Sequence, residues 1–242
     1  MRYAFRKNHF IALILASILG FQVMPVSSQQ AVPDSLVRER LGFIRDALEL
    51  GKPRASLWWN GWLIGYGAAT VGQAAVGMTA RDQRTRQDMA LGAATTGLGV
   101  IGQLLTPMKP SSAPGRLSEI PEATPEERLE KLAAAEDLLR KSGAREREGR
   151  SWQTHAITGL VNLSGGLVTW LGFKRSIWDG VVYFVLNTAI TEAQIWSQPM
   201  RAVRDEEEYV RLRAGGKAEG TTHKIHVSLG IVPGGIGITA CF

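Results

Sequence analysis

The sequence predicts a mainly helical fold: two duplicated helical hairpins in a four-helix bundle, expected to be transmembrane, with flanking amphipathic helices and a C-terminal β-hairpin. Three observations carry this expectation. Residues 55–80, 89–108, 151–173 and 180–200 are almost free of charge, and each run has about the length a helix needs to span a bilayer. A charged amphipathic stretch precedes each pair of runs. The chain also repeats itself: Glu39-Arg40-Leu41 through Trp58-Trp59 to Thr106-Pro107-Met108 corresponds to Glu127-Arg128-Leu129 through Trp152 to Gln198-Pro199-Met200, with Asp88 matching Asp179. The expected division is a signal peptide at 1–28, a first repeat at 29–108, a second repeat with its linker at 109–200, and a tail helix and β-hairpin at 201–242.

The N-terminus reads as an export signal. Arg2, Arg6 and Lys7 precede an uncharged apolar run over 11–24, and Val26-Ser27-Ser28 offers small residues for cleavage before Gln29. The expected location is therefore the bacterial cell envelope. The one cysteine, Cys241, leaves no intramolecular disulfide and no cysteine metal cluster. The net charge of +6 is spread among acidic residues without a basic stripe, so no nucleic-acid partner is expected.

Taken in order, Pro33-Asp34-Ser35 opens the first helix. Leu36, Leu41, Ile44, Ala47 and Leu48 follow at near-helical spacing, and Gly51-Lys52-Pro53 is expected to end it. Residues 81–88 form the turn of the first hairpin, with Asp88 suited to cap the helix after it. A Pro/Ser-rich linker spans 109–125. Thr124-Pro125-Glu126-Glu127 is a strong helix start, with Thr as N-cap, Pro at the first helical position and Glu127 completing a capping box. Leu129, Leu132, Ala135, Leu138 and Leu139 give that helix one apolar stripe. Residues 174–179 turn the second hairpin, 201–213 continue as a charged helix, and alternating apolar residues on either side of Pro233-Gly234-Gly235 predict the β-hairpin.

Small residues at helix-packing spacing, above all Gly61, Gly65, Gly72 and Gly97, are expected to seat the helices against one another. Tryptophans gather near the ends of the runs, as membrane-interface anchors do. Both short turns are basic, through Arg81, Arg84 and Arg86 in one and Lys174 and Arg175 in the other. By the positive-inside rule this predicts an inner-membrane protein with both termini periplasmic; the outer membrane and the periplasm are the alternatives. The expected partners are membrane lipid and either other envelope proteins or copies of the same chain.

No motif of a known chemistry is present, and no catalytic residue, cofactor or metal site is expected. The sharpest polar feature is Glu192, a carboxylate within an otherwise uncharged run, with His155 placed to meet it. Asn162 and Asn187 sit mid-run on adjacent helices, where they are expected to hydrogen-bond across the bundle. These four residues form the expected intramembrane polar site. The function this predicts is a non-enzymatic membrane scaffold or subunit of an envelope assembly. The alternatives are a transport-related protein with a polar site near Glu192, and a periplasmic helical module that binds an apolar ligand.

Overall fold

The computed structural model describes residues 32–215, 226–232 and 235–241; the expected signal peptide lies outside them. The described chain is mainly helical. Its longest element is α1, Asp34–Thr79, a single rod of 46 residues, about 69 Å long at 1.5 Å per residue. The expected end at Gly51-Lys52-Pro53 is not there: the helix runs through Pro53. Proline has no N–H to offer the carbonyl one turn back, a defect of about 3 kcal/mol in a helix interior. Leu48 and Ala55, both buried, anchor the rod on either side of it.

Helix α2, Gln83–Leu105, returns antiparallel to the second half of α1. Asp82 caps it, accepting from the Thr85 N–H at 2.7 Å; Asp88, the expected cap, lies inside the helix. A 3₁₀ turn (Lys109–Ser111) and the short α3 (Ala113–Ser118) lead to α4, Pro125–Gly149. The capping box at its start is complete: the Glu127 N–H donates to Thr124 Oγ1 at 3.2 Å and the Thr124 N–H to Glu127 Oε2 at 3.1 Å. Next come α5 (Trp152–Leu167) with a π-helical turn (Val168–Gly172), α6 (Ile177–Ser197) and α7 (Arg201–Arg213). Strands β1 (His226–Val232) and β2 (Gly235–Cys241) pair antiparallel, with His226 opposite Cys241.

These helices make two regions with opposite chemistry. In the head, Val37, Leu41, Ile44 and Leu48 of α1 pack with Leu117 of α3, Leu132 and Leu139 of α4, and Tyr209 of α7. Burying each such aliphatic side chain contributes about 1.5–3 kcal/mol. Arg40 ties three helices together, donating to Glu136 Oε1 at 2.8 Å and to the Tyr209 hydroxyl at 2.9 Å.

The arm consists of the second half of α1 with α2, and of α5 with α6. Its buried positions are mostly small or polar: Tyr66, Gly92, Gln103, Asn162, Gly165, Gly166, Thr169 and Gly180. Its outer surface carries the large apolar side chains, among them Leu57 (75% exposed), Ile64 (69%), Val71 (71%) and Met78 (81%). Each hairpin packs within itself far more than against the other. At the tips the two are joined by ion pairs, Arg84 to Asp179 and Arg175 to Asp88, both at 2.6 Å.

Two expectations are corrected here. Gly61, Gly65 and Gly72 have open space where a side chain would stand, and Gly97 meets only Thr70 Cγ2 at ordinary contact distance. The close approach lies elsewhere. A Cβ on Gly166 would sit 2.8 Å from the Gly180 carbonyl oxygen, and one on Gly180 2.6 Å from that of Gly166. In the first hairpin Gln73 lies over Gly92 and Tyr66 over Gly99. Second, no described helix is long and apolar enough to cross a membrane, so the expected transmembrane helices are not found. Absence of charge is not apolarity: Gln73, Gln103, Asn162, Asn187 and the many Thr and Gly residues lower the mean hydropathy of every run.

Candidate functional site

The structure brings His155 and Glu192 together. His155 stands in the first turn of α5 and Glu192 in the last part of α6, so the antiparallel hairpin sets them side by side. His155 Nδ1 lies 2.9 Å from Glu192 Oε1 and 3.0 Å from Oε2, and the Trp196 indole N–H donates to Oε2 at 3.0 Å. The pair is 27% and 32% exposed. It clamps the flank of the second hairpin and does not border the open cavity between the hairpins.

Asn162 is buried; its amide donates to Thr191 Oγ1 at 2.9 Å and to Thr188 Oγ1 at 3.4 Å. Asn187 donates to the Tyr183 carbonyl of its own helix at 2.9 Å. Contrary to the expectation from the sequence, the two asparagines do not bond to each other: Asn162 bonds across to α6 and Asn187 within its own helix, although both border one cavity.

That cavity, of about 430 Å³, lies between the hairpins where they diverge toward the head. Leu98 of α2, Ile157 and Val161 of α5, and Ile190 of α6 supply apolar walls. The hydroxyl protons of several threonines among them are bonded within their own helices: Thr96 donates to the Gly92 carbonyl at 2.9 Å, Thr158 to that of Thr154 at 3.0 Å, and Thr191 to that of Asn187 at 3.2 Å. Thr95 meets the Tyr183 hydroxyl at 3.1 Å, a polar tie between the hairpins.

The head-side end of the cavity is different. Gln103 is only 3% exposed; its carbonyl accepts from the Trp59 indole N–H at 3.1 Å, while its side-chain Nε2 is buried without a partner. Arg145 reaches in from α4, donating through Nη2 to the Thr106 carbonyl at 2.9 Å, and its Nε is likewise buried and unpaired. Burial pushes the Arg145 guanidinium below its ordinary pKa, opposed by Glu148 and Glu146 nearby. A buried donor without an acceptor costs about 1–3 kcal/mol. Two of them belong to residues at this end of the cavity.

Gln103 and Arg145 are functional candidates that the sequence reading missed. Gln103 carried a signal, since it continues the face of Gly92 and Gly99 at helical spacing, and a polar residue on a small-residue face points inward. Arg145 carried none, being one of many charges on α4. No protein-family model, curated protein or solved structure matches this chain.

Proposed function

We propose that this chain is a non-enzymatic scaffold subunit of a bacterial cell-envelope assembly, and that the outer faces of its arm are covered by neighbouring subunits and lipid. One observation carries the reading. Along α1, Leu57, Gly61, Ile64, Ala68, Val71, Ala75 and Met78 recur at alternating steps of four and three, and all seven are exposed. This is the 3.5-residue period of a helix-pairing seam, about 32 Å long. Large residues alternate with Gly or Ala, which lets a second helix approach closely. Lipid tails require no such alternation, so the seam favours another helix, and a second copy of this chain supplies one of matching shape.

The remaining outer surface supports an apolar setting for the arm. Leu160, Leu186 and Trp178 are exposed on the second hairpin. Gln73, Gln103, Asn162 and Thr169 of the arm turn inward, so averaging over all faces gives a low hydropathy although much of the outer face is apolar. Export to the envelope follows from the N-terminal signal and stands as part of this proposal.

The test uses the full chain extracted from native membranes in mild detergent, with Cys241→Ser as background. Ile64→Cys should form disulfide-linked dimers on oxidation, and Ala68→Glu should reduce the assembly to monomers. A monomeric parent chain in which Ile64→Cys does not cross-link would overturn the reading.

A further inference from the structure

We propose that the tip of the arm is a docking surface for an anionic phospholipid bilayer, its basic apex meeting headgroup phosphates while the apolar side chains around it enter the headgroup layer. The proposal rests on the reading of an arm set against lipid, and it names the lipid.

The tip is one surface made from two connections. Residues 80–82 join α1 to α2, and residues 173–176 join the π-helical turn to α6. The Arg84–Asp179 and Arg175–Asp88 pairs tie them together, and Arg175 Nη2 also donates to the Arg84 carbonyl at 2.9 Å. Five cations stand here, Arg81, Arg84, Arg86, Lys174 and Arg175, against three acids, Asp82, Asp88 and Asp179. The acids are already committed. Asp88 and Asp179 serve the two ion pairs, and Asp82 accepts from the Thr85 N–H at the start of α2. Arg81, Arg86 and Lys174 are exposed, and among the described residues none has an acidic partner within 4.0 Å.

Lys174 carries a second, independent sign. Its φ of 52° lies in the left-handed region, and among the described residues no other residue except glycine has a positive φ. Glycine adopts this conformation freely, whereas a side chain there is strained. Strain of this kind gathers at ligand clamps and other functional positions, and here it holds an ammonium group at the exposed apex.

The surroundings select a bilayer over a polyanion in solution. Met78, Leu171, Ile177 and Trp178 lie within two residues of the connections and are 50–81% exposed. A soluble polyanion would meet the cations and leave these side chains in water. The headgroup layer takes both. Its phosphates attract the cations, tryptophan rings settle at its depth, and aliphatic groups leave water there.

The experiment floats the full chain with large unilamellar vesicles of phosphatidylcholine alone or mixed with phosphatidylglycerol. The mixed vesicles should bind it at least about tenfold more tightly, and high salt should remove the preference. Lys174→Gly should weaken binding to the mixed vesicles about fivefold. Its thermal unfolding should be no lower than the parent's, because glycine relieves the strained φ, so a loss of binding cannot come from misfolding. Arg81→Gln and Arg86→Gln should each have a similar effect on binding, and Trp178→Ala should weaken binding to both vesicle types. Arg211→Gln, an equal change of charge on α7 in the head, should leave binding unchanged. Equal binding to both vesicle types would mean adsorption through the arm's flanks; it would overturn the proposal and leave the lipid-covered arm standing. Absence of binding to either would also overturn it, while the α1 seam is judged separately by the Ile64→Cys cross-link. A loss in Arg211→Gln as large as in Lys174→Gly, or tighter binding to duplex DNA than to the mixed vesicles at equal phosphate, would overturn it too.

Discussion

Arg84 donates to Asp179 at 2.6 Å, and Arg175, its counterpart in the second repeat, donates to Asp88, the counterpart of Asp179, at the same distance. The duplicated sequence thus meets itself across a local two-fold relation at the tips of the arm. The two pairs are equal in geometry and unequal in surroundings. Arg175 is 10% exposed, donates also to the Arg84 carbonyl at 2.9 Å, and lies over the Phe173 ring; the Arg84 side chain is 64% exposed. Arg175→Ala should therefore cost about 2 kcal/mol or more, through a lost charged hydrogen bond and an unpaired partner. Arg84→Ala should cost less than about 1 kcal/mol. Denaturant unfolding of the two variants measures the difference, and equal losses would refute the asymmetry.

Gly166 and Gly180 let α5 and α6 touch through their backbones, with no flexible side chain between them to yield. Gly180→Ala is expected to destabilise the second hairpin by about 1–3 kcal/mol, the usual cost of overpacking. Gly65→Leu should leave stability nearly unchanged, because its side chain would enter open space. Thermal unfolding of both variants tests the assignment; a larger loss for Gly65→Leu would restore the seam that the sequence suggests.

Spacing made the head legible. Leu41, Ile44 and Leu48 stand out on α1 because they share one face of a helix whose other positions carry Arg38, Glu39, Arg45, Asp46 and Glu49, so burial on that face hides them. The capping box at Thr124 and Glu127 was legible for a similar reason: the pattern is local and its partners lie within one turn. The arm was legible as four helices and not in its packing. There no charges mark the outer face, and Gly61 and Gly166 look alike until the neighbouring helix is known. Lack of charge also hid the inversion that turns Gln103 and Asn162 inward and Ile64 outward. Pro53 misled because its cost is local, whereas the packing of Leu48 and Ala55 on either side of it is tertiary.

Glu146 is a further buried titratable group that the sequence does not announce. Its carboxylate accepts from the Val203 N–H at 3.1 Å at the start of α7, while its carbonyl accepts from Gln198 Nε2 at 2.8 Å. Burial pushes the carboxyl up to about 7 from an ordinary 4.5, and Asp205 adds to the rise; the Val203 and Ala202 N–H groups and Arg204 oppose it. The folded state thus holds its proton more tightly than the unfolded chain does. This contribution to stability is full below about pH 4.5 and is lost as pH rises through about 7, an effect of order 3 kcal/mol. Glu146→Gln keeps an acceptor for Val203 and carries no charge, so it should flatten this part of the profile and raise stability at pH 8. Urea unfolding of parent and variant at pH 4.5, 6 and 8 measures it; parallel profiles would refute the assignment.

Glu192 and His155 give the remaining prediction. Their contact closes the flank of α5 against α6, but both side chains are part-exposed and neither borders the cavity. A part-exposed pair of this kind contributes about 0–1 kcal/mol. Glu192→Gln retains an acceptor for the Trp196 indole, so it should lower stability by less than that; His155→Ala should do the same. Because the two residues act on one contact, the double variant should be no worse than the weaker single one. A loss well above about 1 kcal/mol in urea unfolding of Glu192→Gln or His155→Ala would refute this assignment.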